Sequence, residues 1–261
     1  MFLYSVNGGQ QQTLKGAGFA PPVFNGLMTP RRGMIGGLPY TLRNTMVLRQ
    51  AGTAQTLPVV TSLFHFDTVD GSGNFIDQIA GHGVSSSGTR STSSPKFGAA
   101  SALMGSAQVA ALFAMNAQDI LKASWCIEGW IKTSSSNRNW LRYQCGVSDA
   151  AVSTDNNGAI VIQGASAAVL GTLSFGGYTN GTWSHRAIVR NRTTIKTYKD
   201  GVEQDSLTVS IGDFLYNNGG SMDIFFGGAT FDGNQDETRV TNLGPVYTGN
   251  FTPPTAPFPN P

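Results

Sequence analysis

WSHRAIVRNRTTIKTYKDGVEQ, from Trp183 to Gln204, is the stretch that decides the fold class of this chain. Its opening residues alternate, as side chains on the two faces of a β-strand do. One face carries Trp183, His185, Ala187 and Val189, and the other carries Ser184, Arg186, Ile188 and Arg190. We expect the first of these faces to cover the core. Because Asp200-Gly201 is a strong signal for a two-residue hairpin, the stretch predicts an antiparallel meander.

Further short strands with turn signals between them lie on both sides of this meander. In WCIEGWI, Trp125 to Ile131, both alternating faces are largely apolar, which is typical of a central strand. Other strands are predicted at Leu63–Asp67, Ala102–Ala110, Trp140–Val147, Ala159–Gln163, Val169–Phe175, Met222–Gly227 and Glu237–Thr241. For residues 110–124 the helix and strand templates fit equally poorly, and we expect a loop with at most one helical turn.

The last residues are rich in proline. Repeated proline after Pro245 excludes a central strand, because proline cannot donate to a sheet ladder. We therefore expect an extended tail that lies across the sandwich and is fixed by the rings of Tyr247, Phe251 and Phe258.

Several of these segments occur in an order typical of one fold family. They are SLFHFD (Ser62–Asp67), KFGAASALMGS (Lys96–Ser106), WCIEGWIKTSS (Trp125–Ser135), the stretch Trp183–Gln204, and DETRV with its proline-rich close (Asp236–Pro259). Together they resemble the laminin-G-like, concanavalin A-like lectin/glucanase domain, in the version found in structural proteins of tailed phages. The resemblance covers about residues 61–259 and implies an all-β, antiparallel jelly-roll sandwich with its first and last strands side by side. It is less specific for function, because one sandwich hosts many activities.

Composition separates the chain into two parts. Charged residues are only 12% of the 261 residues, which suits an assembled particle or a secreted β-protein better than a cytosolic enzyme. Residues 1–60 have a net charge of +5 and no acidic residue, whereas the remainder has a net charge of −3. No secretory signal and no stretch of 18 apolar residues is evident, so we expect neither secretion by that route nor a membrane partner.

Residues 1–60 have three interpretations: a nucleic-acid tail, a disordered leader, or an arm that anchors the chain to a neighbouring subunit. Interleaved apolar residues make this segment unlike a DNA tail, and disordered segments are usually poor in aromatic residues. We favour the extended anchoring arm and expect no nucleic-acid partner. Its contacts are expected to come from Phe19, Phe24, Arg31, Arg32, Tyr40 and Arg43.

The residues that catalysis would require are not spaced for it. Glucanases on this type of sandwich need two carboxylates on one face of a strand. Glu128 has no acidic companion two or four residues away, and the adjacent Asp236 and Glu237 point to opposite faces. His65, His82 and His185 show no metal-binding spacing. The two cysteines, Cys126 and Cys145, lie in segments predicted as neighbouring strands, and we expect buried free thiols.

Calcium is the one cofactor that the resemblance suggests, because laminin-G-like sandwiches often bind Ca²⁺ at the rim through oxygen ligands. The candidate ligands are Asp67, Asp77, Asp236 and Glu237. The alternative is structural: Asp67 caps a turn, and Asp236 and Glu237 pair with Arg239 or Arg186. We favour this alternative, because no dense Asp-x-Asp-x-Asp loop is present.

Glycan binding also follows from the resemblance. Sugar sites on β-sandwiches generally use an exposed aromatic platform with polar groups on loops. Trp140, Tyr178 and Tyr216 lie in Asn-, Gly- and Ser-rich surroundings and are the candidates for such a platform. The alternative places Trp140 at a strand edge and the two tyrosines at turns.

Together these observations predict a two-part, non-enzymatic structural protein of a tailed bacteriophage. Residues 1–60 form the anchoring arm, and residues 61–261 form the sandwich. We expect a head decoration, fibre, tail or baseplate subunit that assembles in the host cytoplasm with other virion proteins and other copies of itself. The alternatives are a glycan-binding tip that contacts host-surface polysaccharide and, more distantly, a glycoside hydrolase or lyase.

Overall fold

The computed structural model describes residues 3–6, 10–13, 32–35, 38–41, 58–79, 83–105, 109–113, 124–134, 140–145, 151–155, 157–164, 168–210, 222–226 and 231–261. Every regular element among them is a β-strand, and the strands pair antiparallel, which confirms the predicted all-β class. The chain divides into two compact units, Met1–Ala54 and Gln55–Pro261. No described segment forms a helix of the length and hydropathy that a membrane span requires.

The first unit contains two small hairpins. Strands β1 (Leu3–Val6) and β2 (Gln10–Thr13) form one, and strands β3 (Arg32–Ile35) and β4 (Leu38–Thr41) form the other. The backbone of this unit is therefore partly paired with itself, whereas the sequence predicts only an extended segment.

The second unit contains the remaining strands. In chain order they are β5 (Val59–Phe64), β6 (Gly83–Ser86), β7 (Thr89–Ser91), β8 (Ser101–Gly105), β9 (Val109–Phe113), β10 (Trp125–Thr133), β11 (Leu141–Cys145), β12 (Ala151–Thr154), β13 (Ile160–Gln163), β14 (Val169–Leu173), β15 (Ser184–Asn191), β16 (Thr194–Lys199), β17 (Val202–Thr208), β18 (Met222–Phe226) and β19 (Asp232–Asn242). Strand β9 continues through residues 111–113, where we expected a loop, so that expectation was wrong there.

These strands form two antiparallel sheets. The first sheet has the described order β17-β16-β15-β10-β19-β8-β7, and β5 also pairs with β19. The second sheet has the described order β14-β13-β12-β11-β18-β9-β6. The predicted pairing of the first and last strands of the sandwich, β5 and β19, is confirmed.

Strand β19 occupies the centre of the first sheet. One of its edges pairs with β10, while β8 pairs with its first part and β5 with its last part on the other edge. Between those two partners the strand carries a β-bulge, where Glu237 has a φ of 46° and Gly129 of β10 lies opposite. A Cβ on Gly129 would lie 2.9 Å from the Thr238 hydroxyl oxygen, so only glycine fits there without a shift.

The main core lies between the two sheets, where apolar side chains of both are fully buried. The first sheet contributes Trp125, Ile127, Ile131, Ile188 and Ile195, and the second contributes Leu141, Val152, Ile160, Ile162 and Leu173. A smaller apolar cluster lies on the other, outer face of the first sheet and contains Cys126, Ala187, Val189 and Tyr198. The segment after β19, which we call the Pro-rich tail (residues 245–261), covers this cluster with Val246, Tyr247 and Phe251.

The predicted faces of β15 are therefore reversed. Ile188, between the buried Arg186 and Arg190, faces the main core, whereas Ala187 and Val189 face the Pro-rich tail. The arginines can be buried because their guanidinium groups reach backbone carbonyls. Arg186 donates to the carbonyls of Phe175 and Gly177, and Arg190 donates to the carbonyl of Arg192 at 2.8 Å.

The two cysteines do not lie on neighbouring strands, contrary to expectation. Cys126 is in β10 of the first sheet, and Cys145 is in β11 of the second sheet. Cys126 is a buried free thiol that packs under the Pro-rich tail, on the side of its sheet that faces away from the second sheet.

The predicted hairpin at Asp200-Gly201 is confirmed. Both residues have positive φ, 49° and 80°, as a type I′ turn requires. The turn also supports the tail, because the Phe251 N–H donates to the Gly201 carbonyl at 2.9 Å. A Cβ on Gly201 would lie 1.8 Å from the Phe251 carbonyl oxygen.

Replacing Gly201 by alanine is expected to destabilise the fold by at least about 1 kcal/mol more than replacing Gly181, measured by urea unfolding. Gly181 is the matched control, because its φ is 73° and open space surrounds the site of its Cβ. Both variants share the cost of a left-handed alanine, so the difference reports the clash with the tail. Equal losses would contradict the contact between the turn and the tail.

Candidate functional site

Acidic side chains from widely separated segments meet around the bulge of β19. Asp236 Oδ2 accepts hydrogen bonds from the N–H groups of Lys96 and Phe97 at 2.7 and 3.2 Å. Asp67 Oδ1 accepts from the N–H groups of Ala99 and Ala100 at 2.6 and 2.9 Å. The two carboxylates thus hold one segment, Lys96–Ala100, from both ends. Gly98 is required between them, because its φ is 59° and a Cβ there would overlap the Asp67 carboxylate.

Glu237 fixes the end of the Pro-rich tail. Its Oε2 accepts the Phe258 N–H at 2.8 Å, and its Oε1 lies 2.8 Å from His65 Nδ1. His65 Nε2 is in turn 2.9 Å from Asn260 Oδ1. The Arg239 guanidinium lies 3.9 Å from the centre of the buried Phe258 ring. The contacts of Phe258 join the tail to β19, and the contact of Asn260 joins it to His65, the residue after β5.

Glu128, in strand β10 under the Pro-rich tail, holds the part of the tail around Tyr247. Although fully buried, it accepts two hydrogen bonds from Arg239 at 2.6 and 2.9 Å and one from the Tyr247 hydroxyl at 2.7 Å. His185 Nε2 lies 3.3 Å from Glu128 Oε2, the oxygen that accepts from Tyr247. The Tyr247 ring stacks on Phe251 with 3.4 Å between ring centres. The predicted tail, with Tyr247, Phe251 and Phe258 as its fixed points, is confirmed.

Burial and hydrogen bonding set the pKa values of these groups. Burial chiefly raises the pKa of Asp236 to about 7, against the lowering effect of the backbone N–H groups, and it also raises the pKa of Glu237. Burial opposes ionisation of Glu128 too, but His185, Arg239 and Tyr247 outweigh it and lower the pKa of Glu128. For His65, the bonds to Asn260 and Glu237 outweigh burial and raise the pKa.

Each of the four candidate calcium ligands, Asp67, Asp77, Asp236 and Glu237, accepts hydrogen bonds within the protein. Asp77 accepts from the Ser62 hydroxyl and from the N–H groups of Leu63 and Ile79 at 2.7 to 3.0 Å. Donors in these positions direct positive dipoles to the oxygens that a cation would need. The described residues contain no group of three or more His, Cys, Asp or Glu side chains arranged to hold a metal. Calcium binding by these residues stays a prediction.

The predicted aromatic platform is not formed as expected. Trp140 is fully buried and stacks on Phe175 with 5.8 Å between ring centres, so its ring is not exposed, contrary to the platform prediction. Tyr178 is half-buried: its hydroxyl donates to the Gly158 carbonyl at 3.1 Å and the Arg186 guanidinium lies 4.1 Å from its ring centre. Tyr216 lies outside the described residues.

The anchoring contacts also stay a prediction. Arg32 and Tyr40 lie in strands β3 and β4. The other candidate contact residues, Phe19, Phe24, Arg31 and Arg43, lie outside the described residues.

A surface of aromatic and basic side chains, which sequence reasoning missed, lies on the outer face of the first sheet. We call it the tryptophan–lysine surface; its members are Lys96, Phe97, Trp130, Lys132 and Trp183. Lys96 Nζ is 3.9 Å from the Trp130 ring centre, and Lys132 Nζ is 5.5 Å from that of Trp183. All but Trp130 are half-buried, and Trp130 is 7% exposed. The signal in the sequence was the recurrence of lysine beside aromatic residues in KFG and WIK.

Known proteins resemble this chain in structure but not in sequence. No family model matches the sequence, and no curated protein matches it. Domain 4 of AbnA, a GH43 extracellular arabinanase from Geobacillus stearothermophilus solved in complex with arabinotriose, has a TM-score of 0.54 at 15% identity, over 73% of this chain and 95% of that one.

Two toxin structures are similar as well. The botulinum neurotoxin serotype C1 binding domain has a TM-score of 0.52 at 13% identity, over 73% of this chain. The serotype D binding domain has a TM-score of 0.50 at 15% identity, over 72% of this chain. This chain spans about half of each toxin structure, 49% in both cases. At these identities the likeness shows the fold alone, and it confirms the predicted jelly-roll sandwich.

The raised pKa of Asp236 makes stability depend on pH. Between its ordinary pKa of 3.8 and about 7, the folded protein holds a proton on Asp236 that the unfolded chain does not. The stabilisation from this group is therefore full below 3.8 and is lost as the pH rises through 7; the raised pKa values of Glu237 and His65 act in the same direction.

We expect the Asp236 carboxyl carbon to titrate near pH 7 in ¹³C NMR spectra. We also expect the free energy of unfolding to fall between pH 5 and pH 8. The Asp236→Asn variant is the control, because its amide does not titrate and its pH dependence should be flatter over that range. A midpoint near 4 would contradict the burial of this carboxyl group.

Proposed function

We propose that this chain is a non-enzymatic structural subunit of a tailed-bacteriophage virion, either a head decoration or fibre protein or a tail or baseplate appendage. Residues 1–60 anchor it to other virion proteins and to other copies of the chain, and the lectin-like sandwich faces outward. Assembly takes place in the host cytoplasm.

The observation that supports this proposal is that the candidate catalytic carboxylates are buried and hydrogen-bonded within the fold. Glu128, Asp236 and Glu237, the carboxylates on which a hydrolase of this fold would draw, are 0%, 0% and 1% exposed. Each is bonded to the backbone or to a basic side chain that holds the Pro-rich tail or the Lys96–Ala100 segment. Such groups serve the architecture of the sandwich, which favours a display function over catalysis.

The charge distribution supports an anchoring function for the first unit. Residues 1–60 have a net charge of +5 and the rest of the chain has −3, so the two parts offer different surfaces to neighbours. The division after Ala54 leaves strand β5 wholly within the second unit. Because residues 1–60 are basic, they favour contacts with acidic surfaces of other subunits.

Deleting residues 1–55 is expected to leave a folded β-domain that no longer joins the particle. The physical reason is that the core and both sheets come from the second unit. Incorporation is measured by purifying virions assembled with the truncated chain, and folding by circular dichroism. Normal incorporation of the truncated chain would rule out the anchoring function.

Glycan binding is the second candidate function, and one comparison favours it. The arabinanase domain, 95% of which the similarity covers, was solved with arabinotriose bound. We propose that this chain uses its sandwich to contact host-surface polysaccharide. The tryptophan–lysine surface offers two half-buried rings for such contacts, those of Phe97 and Trp183.

Two tryptophan substitutions separate glycan binding from folding. Trp183→Ala is expected to weaken adsorption to host cells with little change in melting temperature, because Trp183 is only half-buried. Trp140→Ala is expected to lower the free energy of unfolding by about 3–5 kcal/mol, because its ring is in the main core. Unchanged adsorption of the Trp183→Ala protein would argue against glycan binding there.

Release of reducing ends from host polysaccharide, lost in Glu128→Gln, would instead indicate a hydrolase.

A further inference from the structure

The tryptophan–lysine surface is built on the regular part of the first sheet. Trp130 and Lys132 are two residues apart in β10, so their side chains leave the same face of the sheet. That is the outer face, because Ile131 between them is buried in the main core. Trp183 directly precedes β15, the neighbour of β10 in the sheet.

Lys96 and Phe97 reach this face because Asp236 holds their N–H groups. The Phe97 ring meets the Trp130 ring edge to face, with 5.9 Å between centres. The loop before Trp183 is also fixed: the Gly181 N–H donates to the Thr133 carbonyl at 2.8 Å, and the Thr133 hydroxyl donates to Asn180 Oδ1 at 3.1 Å. The surface is thus held in place by the backbone before any ligand binds, which reduces the entropy lost on binding.

Each tryptophan of this surface has an ammonium group beside it. Lys96 Nζ lies over the Trp130 ring at 3.9 Å and is 5.3 Å from the Phe97 ring centre. Lys132 Nζ lies 5.5 Å from the Trp183 ring centre and donates to the Ser94 hydroxyl.

Neither lysine forms a salt bridge with any carboxylate that the structure describes. Two positive charges therefore stand unneutralised among aromatic rings. This combination attracts an anion that also has apolar faces.

We propose that the tryptophan–lysine surface binds an acidic polysaccharide, with the rings of Trp183 and Phe97 against the sugar faces and Lys96 and Lys132 paired with its carboxylate or sulfate groups, while the buried Trp130 ring supports Lys96 and Phe97. This inference rests on the second candidate function, glycan binding, and names its site and the chemical class of its ligand. Half-buried rings supply the contact area, and the two ammonium groups select charged over neutral sugars.

A single-stranded nucleic acid is the other polyanion that stacks on aromatic rings. The observations favour a glycan, because residues 61–261 have a net charge of −3, whereas binding along a phosphate backbone needs many basic contacts. The arabinotriose complex of the similar arabinanase domain also favours a sugar ligand.

The test measures binding of the full chain to polygalacturonate, dextran sulfate, neutral dextran and a single-stranded DNA oligonucleotide by isothermal titration calorimetry. We expect polygalacturonate or dextran sulfate to bind, with affinity that falls as salt is added, and neutral dextran to bind at least tenfold more weakly. The double variant Lys96→Gln/Lys132→Gln should lose at least tenfold in affinity for the acidic polymer. Trp183→Ala should also weaken binding.

The matched control is the double variant Arg192→Asn/Lys199→Gln, which removes the same charge elsewhere. Arg192 is in the turn at the far end of β15 from Trp183, and asparagine tolerates its φ of 56°. Lys199 of β16 lies opposite Arg186 of β15 in the strand register, and the Arg186 side chain points to the inner face of the sheet. The affinity of this control should stay within twofold of the wild type, and thermal unfolding should show all variants folded.

Each outcome has one meaning. Equal loss in both double variants would show a general charge effect and overturn the site. Equal binding of neutral dextran would overturn the acidic class while glycan binding stands. Preferential DNA binding would replace the glycan with a nucleic acid. Binding of none of the four polymers would overturn the inference and remove the support for glycan binding, leaving the virion proposal to the deletion experiment.

Discussion

The rest of the sandwich depends on the hydrogen bonding of strand β19 to three partners. β10 pairs with one of its edges, and β8 and β5 share the other, so β19 joins segments from the beginning, middle and end of the second unit. Between the part of β19 that pairs with β8 and the part that pairs with β5, the backbone forms a bulge. At this bulge the side chains of Asp236 and Glu237 accept hydrogen bonds in place of the backbone ladder. Their carboxylates bind backbone N–H groups of Lys96, Phe97 and Phe258, which would otherwise lack a strand partner.

The buried acids explain why the Pro-rich tail covers part of the outer face of the first sheet. An ionised carboxylate is costly to bury unless donors surround it, and Glu128 receives them from Arg239 and Tyr247. Tyr247 belongs to the Pro-rich tail. The tail therefore stabilises the buried charge of Glu128, and Glu128 in turn holds the tail on the sheet. The same face remains partly open around Phe97, Lys132 and Trp183. This division lets one sheet combine a sealed region with an accessible one.

Sequence reasoning predicted the elements better than the faces. The hairpin at Asp200-Gly201 and the tail were predictable because local chemistry determines them: positive φ in the turn, and proline after β19. The faces of β15 were not, because both carry apolar residues and burial of Arg186 depends on how the segment before β15 folds back to supply the carbonyls of Phe175 and Gly177. Trp140 was misassigned for a similar reason, since only the tertiary fold places Phe175 against its ring. The tryptophan–lysine surface combines residues from three separate segments; the KFG and WIK motifs show lysine beside aromatic residues, but only the tertiary fold places these segments together.

The pairing of β5 with β19 has a consequence for biosynthesis. His65 and Glu237, which meet beside these strands, are 172 residues apart in the chain, so β5 leaves the ribosome long before its partner exists. At typical rates of translation this interval is roughly 10 to 35 s. Because β19 is also the neighbour of β10 and β8, the nascent first sheet has a gap at its centre throughout that time. The sandwich therefore closes only after β19 is synthesised, and until then the edges of β8 and β10 that β19 will cover are unpaired and open to other strands.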